Sequence, residues 1–369
     1  MDHRFVHLPT SLSLDVVDVP SLSPNVALTA RVHEAYRRSI ADFGSAARGG
    51  LWDVLAQIYQ SDFLAALGSS TDSLDTYLAG MFKRSATHGT CQGAVEYETL
   101  RAPEARRLHG LLTYDKLTSL AEAVGVRPLS NPEQVIAGTE LDAGVDTIVA
   151  SISAAIGRSI VPPPVDGGLV KLKTRYGLLH ERDLHSLLTA WSIVQLLGPN
   201  VRICEIGGGV GKGAYWSTQL GSPSAPYVIL DLPHIAATQG YYLGRTGLTV
   251  AMYGEPADKV QVHVLPFHRR DQLVGSFDVV LNQDSFPELG LEDALGYLRW
   301  MRRSKVSYFY SVNHESKPPA LTVSGTLVPQ HKVSELCAQV GGFSRILRAP
   351  YWLRRGYAVE VYRVAPEAR

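Results

Sequence analysis

The chain has 369 residues, of which 45% are hydrophobic and 19% are charged, and its 35 basic residues balance its 35 acidic ones. This composition is typical of a globular protein and excludes disordered, collagen-like and coiled-coil chains. A net charge of zero provides no general attraction to nucleic acid or to an anionic membrane. No stretch of the sequence approaches the roughly 18 consecutive apolar residues of a membrane span. We therefore expect neither a nucleic-acid partner nor a membrane association.

The three cysteines, Cys91, Cys204 and Cys337, lie far apart in the sequence and form no metal-binding pair. An odd and sparse cysteine count argues against a disulfide framework and fits a reducing compartment. The first residues contain no basic segment followed by an apolar one, which a secretory leader would require. The sequence thus predicts a cytoplasmic protein.

The first half of the chain predicts helices, with a further helix start at Ser130-Asn-Pro-Glu133. Apolar residues recur at helical spacing in five segments: 32–43, 51–67, 74–83, 111–124 and 142–156. The segment Val161-Pro-Pro-Pro-Val-Asp-Gly-Gly168 then combines stiff prolines with free glycines, as a linker does. We expect a mainly helical N-terminal domain over residues 1–165 and a second domain over residues 170–369.

Strand and helix patterns alternate in the second half, after a predicted helix at 178–197. Short apolar runs predict strands at 201–206, 227–230, 260–265, 277–281, 306–312 and 358–364. Helical patterns at 291–303 and 333–340 separate some of these strands. Such alternation predicts an α/β fold with a mostly parallel sheet that is covered on both faces. The runs at 343–350 and 356–364 are joined by a short loop, so we expect a hairpin and an antiparallel last strand.

A glycine-rich loop, Glu205-Ile-Gly-Gly-Gly-Val-Gly211, directly follows the first strand of this half. Its glycines permit a tight strand-to-helix turn and a close approach of ligand to backbone. A P-loop is excluded, because that motif needs glycine at position 206, where this chain has isoleucine, and serine or threonine at position 213, where it has glycine. The segment Gly209-Val-Gly211-Lys-Gly-Ala214 does satisfy the dinucleotide pattern G-x-G-x-x-A.

The same loop also satisfies the pattern (D/E)-x-G-x-G-x-G of enzymes that bind S-adenosylmethionine (SAM). SAM carries a cationic amino-acid end where a dinucleotide carries a pyrophosphate, so the Glu205 carboxylate favours SAM. Asp231 ends the next strand, where an acid accepts hydrogen bonds from ribose hydroxyls in either ligand. We expect the cofactor to contact Glu205, Asp231 and the loop glycines Gly207, Gly208, Gly209 and Gly211.

These residues resemble those of the class I SAM-dependent methyltransferases, and more narrowly of the bacterial sugar O-methyltransferase family. The resemblance covers roughly residues 170–364 and rests on four segments: 205–211, 228–243, 277–288 and 311–316. It implies a Rossmann-like methyltransferase sheet, mostly parallel with an antiparallel last strand, preceded by a helical domain that covers the acceptor or forms a homodimer. The implied reaction moves a methyl group to a hydroxyl of a sugar or oligosaccharide, such as a polymethylated polysaccharide precursor or a glycosylated natural product.

Three other functions stay open. Aromatic small-molecule O-methyltransferases also have an Asp-Leu-Pro after the second strand, here Asp231-Leu-Pro233, so a phenolic acceptor is an alternative. The G-x-G-x-x-A match keeps an NAD-dependent oxidoreductase open. A SAM-binding protein without catalysis is the third, although Asp284, Glu288 and His314 argue against it.

Transfer to a sugar hydroxyl, which is a weak acid, needs alignment and a general base. The candidates lie beyond the fourth and fifth strands: His314, Asp284, Glu288 and Glu315. His314 is the natural base by its ordinary pKa, with Glu315 or Asp284 able to orient or replace it. Asp231, Asp284 and Glu288 also supply oxygen ligands suited to Mg²⁺, although their spacing does not establish a site.

The remaining site predictions concern binding. We expect Leu232, Asn282 and Gln283 to contact the cofactor, because they follow the second and fourth strands. Arg175 and Tyr176 follow the linker and are candidates to contact the acceptor. No zinc-binding motif is present among the histidines.

Overall fold

The computed structural model describes residues 14–43, 51–129, 144–165, 167–221, 225–273, 277–317, 320–321, 325 and 327–367. The predicted helix start at Ser130-Asn-Pro-Glu133 and the first residues of the chain lie outside these ranges. Within them, no helix is both long enough and apolar enough to cross a membrane.

The N-terminal part is mainly helical, as its apolar spacing predicts. Its helices are α1 (Val26–Phe43), α2 (Leu51–Tyr59), α3 (Ser61–Leu67), α4 (Thr71–Leu78), α5 (Ala94–Thr99), α6 (Pro103–Ala123) and α7 (Val145–Ile156). The predicted helix over 51–67 is interrupted at Gln60 and forms α2 and α3. Ser70 caps α4 by accepting a hydrogen bond from the Ser73 amide at 3.3 Å. Gly157 ends α7 in a left-handed conformation with φ of 71°.

A small antiparallel sheet joins the beginning of the chain to the segment after the linker. It consists of β1 (Val16–Asp18), β2 (Val170–Thr174) and β3 (Gly177–Leu179), in that order. Val16 lies opposite Leu172 in the β1–β2 pair. The sequence did not predict these strands, because they are short and β1 finds its partner about 150 residues away.

The second half forms an eight-stranded sheet with the order β12-β13-β9-β8-β4-β5-β7-β6. The strands are β4 (Ile203–Ile206), β5 (Tyr227–Asp231), β6 (Val250–Ala251), β7 (Val262–Pro266), β8 (Val279–Gln283), β9 (Tyr308–His314), β12 (Phe343–Pro350) and β13 (Tyr357–Val364). The pairs from β6 to β9 are parallel, whereas β13 is antiparallel to both of its neighbours. This confirms the predicted mostly parallel sheet with an antiparallel last strand.

Helices cover both faces of this sheet. They are α8 (Glu181–Leu197), α9 (Lys212–Leu220), α10 (Pro233–Arg245), α11 (Leu291–Arg303) and α12 (Val333–Val340), and a small hairpin forms from β10 (Ala320–Leu321) and β11 (Leu327–Val328). Residues of α8, α9 and α10 share one apolar core with the N-terminal helices. Residues of α11 and α12 form the core on the opposite face.

Candidate functional site

A cavity with a volume of about 280 Å³ lies where β4, β5 and β8 end. The glycine loop, the residues after β5 and the residues after β8 form its floor. Trp52, Gly89 and Thr90 line it from the N-terminal part, Arg354 lines it from the loop between β12 and β13, and Tyr357 lines it from the first position of β13. Open α/β sheets bind their ligands at the carboxyl ends of parallel strands, so this cavity is the candidate site.

The glycine loop needs its glycines for two reasons. Gly207, Gly209 and Gly211 have φ values of 71°, 57° and 96°, which glycine adopts without strain. Gly208 and Gly213 make room for a side chain, because a Cβ on either would lie 2.9 Å or less from a carboxylate oxygen of Glu205. The loop therefore both turns the chain into α9 and encloses the Glu205 carboxylate.

Two buried carboxyl groups face this cavity from adjacent strands. Glu205 is 4% exposed and accepts a hydrogen bond from the Tyr227 hydroxyl at 3.0 Å. Asp231 is 8% exposed and accepts hydrogen bonds from the Gln239 amide at 2.6 Å and from the Leu232 backbone at 2.8 Å. Burial raises the pKa of each carboxyl to about 7. A cationic ligand would favour the ionised form of both groups.

A buried ion pair supports the loop from below. Lys212 follows Gly211, and its Nζ lies 2.7 Å from Asp183 and 3.2 Å from the Tyr242 hydroxyl. Lys171 lies 3.9 Å from the other oxygen of Asp183. Asp183 and Lys171 are completely buried, so the lysine of the Gly-Lys pair is part of a structural network.

The other predicted cofactor residues, two at the end of β8 and one after β5, differ in their relation to the cavity. Asn282 is fully buried and does not line the cavity; its amide donates to the Ile206 carbonyl at 2.8 Å and to Ser285 at 2.7 Å. Its side-chain oxygen accepts from the Phe286 amide at 3.1 Å. Asn282 therefore links β8 to β4, whereas Gln283 and Leu232 line the cavity.

Asp284 lines the cavity, and its carboxylate forms ion pairs with two arginines. Its backbone is left-handed with φ of 71°, a strained conformation for a residue other than glycine. The carboxylate pairs with Arg354 at 2.6 Å and Arg182 at 3.2 Å, and the Tyr357 hydroxyl donates to it. Although burial opposes ionisation, these donors hold the pKa of Asp284 below its ordinary value. Its carboxylate therefore binds protons weakly.

Glu288 also lines the cavity, but its pKa is shifted in the opposite direction from that of Asp284. The indole Nε1 of Trp52 donates to its carboxylate at 2.9 Å. Burial, together with the nearby charge of Asp284, raises the pKa of Glu288 to about 7. Of the four candidate bases, Glu288 is the one that both lines the cavity and has a pKa close to neutral pH.

His314 and Glu315 do not line the cavity among the residues described. Tyr357 lies opposite His314 in the β9–β13 register and occupies the wall in its place. Burial lowers the pKa of His314, and its Nδ1 accepts from the Ser316 amide at 3.2 Å. Glu315 pairs with Arg348 at 2.6 Å and Lys332 at 3.0 Å, and these donors lower its pKa to about 2.

Arg175 and Tyr176 lie at the turn between β2 and β3, outside the cavity lining in the described parts of the chain. Their side chains bond to each other, and the Arg175 amide donates to Asp146 at 2.8 Å. The acceptor prediction rested on the position of these two residues directly after the linker. In the structure this position is the turn of the β2–β3 hairpin, not the wall of the cavity.

Several lining residues were missed by the sequence reasoning: Trp52, Gly89, Thr90, Arg182, His185, Ser186, Phe267, Asp293, Tyr297, Arg354 and Tyr357. Arg182 and His185 are three residues apart and share a face of α8, which the helical pattern could have indicated. The N-terminal residues and those after β12 carry no local signal, since only the fold brings them to the cavity.

The donor set does not fit a bound metal ion. Among the described residues, no three His, Cys, Asp or Glu side chains lie together as metal ligands. Asp231, Asp284 and Glu288, the candidates for Mg²⁺, each accept hydrogen bonds from protein donors instead.

The sequence matches no protein-family model and no curated protein. The chain is similar to the solved structure of mitomycin 7-O-methyltransferase MmcR, with 15% identity, 74% of this chain and 100% of that chain covered, and a TM-score of 0.34. It is also similar to magnesium protoporphyrin IX methyltransferase from Synechocystis PCC 6803 with bound S-adenosylhomocysteine (SAH), with 16% identity, coverages of 51% and 86%, and a TM-score of 0.34. For 1,6-didemethyltoxoflavin-N1-methyltransferase from Burkholderia thailandensis the identity is 19%, the coverages 49% and 78%, and the TM-score 0.35. At these values the similarities assign neither a substrate nor a reaction to this chain.

Proposed function

We propose that the chain is a SAM-dependent O-methyltransferase whose acceptor is a hydroxyl of a sugar or oligosaccharide. One observation carries the proposal: Glu205 and Asp231, at the ends of adjacent parallel strands, face one cavity beside a glycine loop. In this proposal Asp231 accepts from ribose hydroxyls and Glu205 faces the cationic amino-acid end. Leu232, Phe267 and Tyr297 offer apolar and aromatic surface to the adenine ring. A buried carboxylate at position 205 would repel the pyrophosphate of NAD.

SAM, when bound, supplies an activated methyl group on a sulfonium. The protein must orient the acceptor hydroxyl, keep water out and take up the proton. Glu288 is the residue to which we assign the proton, because its pKa of about 7 suits a base that works near neutral pH. Trp52, which donates to Glu288, holds that carboxylate in the cavity wall.

The character of the cavity wall around Glu288 supports a sugar acceptor. Arg182, Asp284 and Arg354 provide charged donors and acceptors there, which suit a molecule with several hydroxyls. A sugar hydroxyl is also a weaker acid than a phenol, so it gains more from a base. The aromatic rings of Trp52 and Tyr357 in the same wall keep a phenolic acceptor as the second candidate.

We assign the N-terminal helices, within residues 1–165, the part of a cover over the acceptor. Trp52, Gly89 and Thr90 line the cavity from this part. A homodimer and a cytoplasmic location stay predictions; sedimentation of the purified protein tests the first.

The proposal is tested by incubating the protein with SAM that carries an isotope-labelled methyl group and a panel of mono- and oligosaccharides, with phenolic acceptors in parallel. Each reaction is run with Mg²⁺ and with a chelator. Label in a sugar, lost in the Glu288→Gln variant while SAH binding persists, supports the proposal. Label in phenols alone overturns the sugar assignment, and label in no acceptor with no binding of SAH overturns the cofactor assignment.

A further inference from the structure

His185 is a buried residue of the cavity wall for which the proposed reaction provides no role. It lies on α8 and is 4% exposed. Its ring stacks near Tyr351 with 5.5 Å between the ring centroids, and its Nδ1 lies 3.2 Å from the Tyr351 hydroxyl. Tyr351 itself does not line the cavity among the described residues.

The hydrogen bonds of Tyr351 determine which ring nitrogen of His185 carries the proton. A tyrosine hydroxyl has one proton to donate. Tyr351 donates it to the backbone carbonyl of His185 at 3.1 Å. The Tyr351 oxygen therefore acts as an acceptor toward the ring, so Nδ1 of His185 is the protonated nitrogen.

The other ring nitrogen, Nε2, then carries a lone pair. Nε2 of His185 has no hydrogen-bond partner among the described residues. His185 is otherwise buried and lines the cavity, and its Nδ1 is directed at Tyr351, so Nε2 is the ring nitrogen left to face the cavity.

We propose that Nε2 of His185 accepts a hydrogen bond from a second hydroxyl of the acceptor, other than the hydroxyl that is methylated. The inference rests on the proposed function and narrows its substrate to molecules with at least two hydroxyls. His185 is a specificity-determining residue in this account, and Glu288 takes the proton.

The charges around His185 support the role of a permanent acceptor. Burial lowers the pKa of His185 well below its ordinary value, and Lys116, Arg182 and Arg354 lower it further, while Glu181 opposes them. The imidazole therefore stays neutral through the physiological range and keeps the lone pair on Nε2. A buried acceptor without its donor is costly, so an acceptor that lacks the second hydroxyl should lose about 10- to 100-fold in kcat/KM.

The tautomer is tested first, and without any acceptor. Protein labelled with ¹⁵N-histidine is examined by long-range ¹H–¹⁵N correlation, and the His185 signals are assigned by their loss in His185→Gln. We expect a protonated Nδ1 and an unprotonated Nε2, with the Nδ1 proton more exchangeable in Tyr351→Phe. A proton on Nε2 overturns the inference.

The second test compares methyl glucoside and methyl mannoside with their monodeoxy analogues as acceptors, at saturating SAM. Wild type should discriminate against one deoxy analogue by about 10- to 100-fold in kcat/KM. His185→Leu should lose this discrimination, and His185→Gln, which keeps an acceptor atom, should retain part of it. Retained SAH binding shows that each variant is folded.

The outcomes separate the inference from the proposed function. Methyl transfer with unchanged discrimination in His185→Leu overturns the role of His185 and leaves the methyltransferase intact. Absence of transfer to every glycoside counts against the sugar acceptor, and the tautomer measurement then decides the assignment to His185 alone.

Discussion

The hydrogen bond from Trp52 to Glu288 makes a prediction about the pH dependence of the reaction. Replacing Trp52 with phenylalanine keeps an aromatic ring in the cavity wall but removes the donor that lies 2.9 Å from the Glu288 carboxylate. That donor stabilises the ionised form, so its loss must raise the pKa of Glu288. A base works only when ionised, so activity should require a higher pH in the variant.

The size of the shift follows from the strength of such bonds. A hydrogen bond to a charged group contributes about 1.5–3 kcal/mol, and one pKa unit corresponds to about 1.4 kcal/mol. The apparent pKa should therefore rise by about one to two units from its starting value of about 7. At pH 7 the ionised fraction would fall from about a half to between roughly 1% and 10%, a loss of about 5- to 50-fold in rate.

The assay is the pH profile of kcat/KM for labelled methyl transfer. Wild type should lose activity as the pH falls through about 7, and Trp52→Phe should recover most of its activity above pH 9. Trp352→Phe is the matched control, because Trp352 is 37% exposed and does not line the cavity in the described structure. A Trp52→Phe profile with an unchanged or lower midpoint would refute the assignment of the base to Glu288.

Three further predictions follow from the buried charges. Glu205→Gln should weaken SAH binding severely. Burial raises the pKa of Glu205 from 4.5 to about 7, so the wild-type fold is destabilised as the pH rises through that value; the stability of Glu205→Gln relative to wild type should therefore be about 3 kcal/mol greater at pH 8 than at pH 4. Equal differences at both pH values in urea unfolding would contradict this. The affinity of the wild-type protein for SAH should fall as the pH drops below about 7, because Glu205 and Asp231 both take up protons there. Calorimetric titration between pH 5.5 and 8 measures this change. An affinity that does not vary with pH would count against the contacts of SAH with Glu205 and with Asp231. Asp183→Asn should destabilise the fold by about 3–5 kcal/mol, because it removes a fully buried carboxylate that is paired with two buried lysines; an unfolding midpoint close to that of wild type would contradict this.

The parts of the site that lie in one short segment were predictable from the sequence. The glycine loop and Asp231 follow strands whose apolar runs are continuous, so both their place in the sheet and their proximity could be inferred. The same holds for Glu288 after β8. The alternation of strands and helices similarly predicted a mostly parallel sheet, although the two-residue strand β6 gave no signal.

The parts that depend on distant segments were not predictable. Trp52 reaches Glu288 from 236 positions away, and Tyr351 orients His185 from 166 positions away. His314 ends a strand at the expected edge of the sheet, yet Tyr357 of the neighbouring strand takes its place in the cavity wall. Glu315 likewise forms an ion pair with Arg348, which the fold brings to it from the β12–β13 hairpin.

Calorimetry of SAH binding to the purified protein, with NAD titrated in parallel, is the most direct test of the assignment of SAM as the cofactor. We expect that SAH binds at a single site, that Glu205→Gln and Asp231→Asn each weaken the binding severely, and that NAD does not compete. Binding of NAD in preference to SAH, or SAH binding that is unaffected by both substitutions, would contradict it.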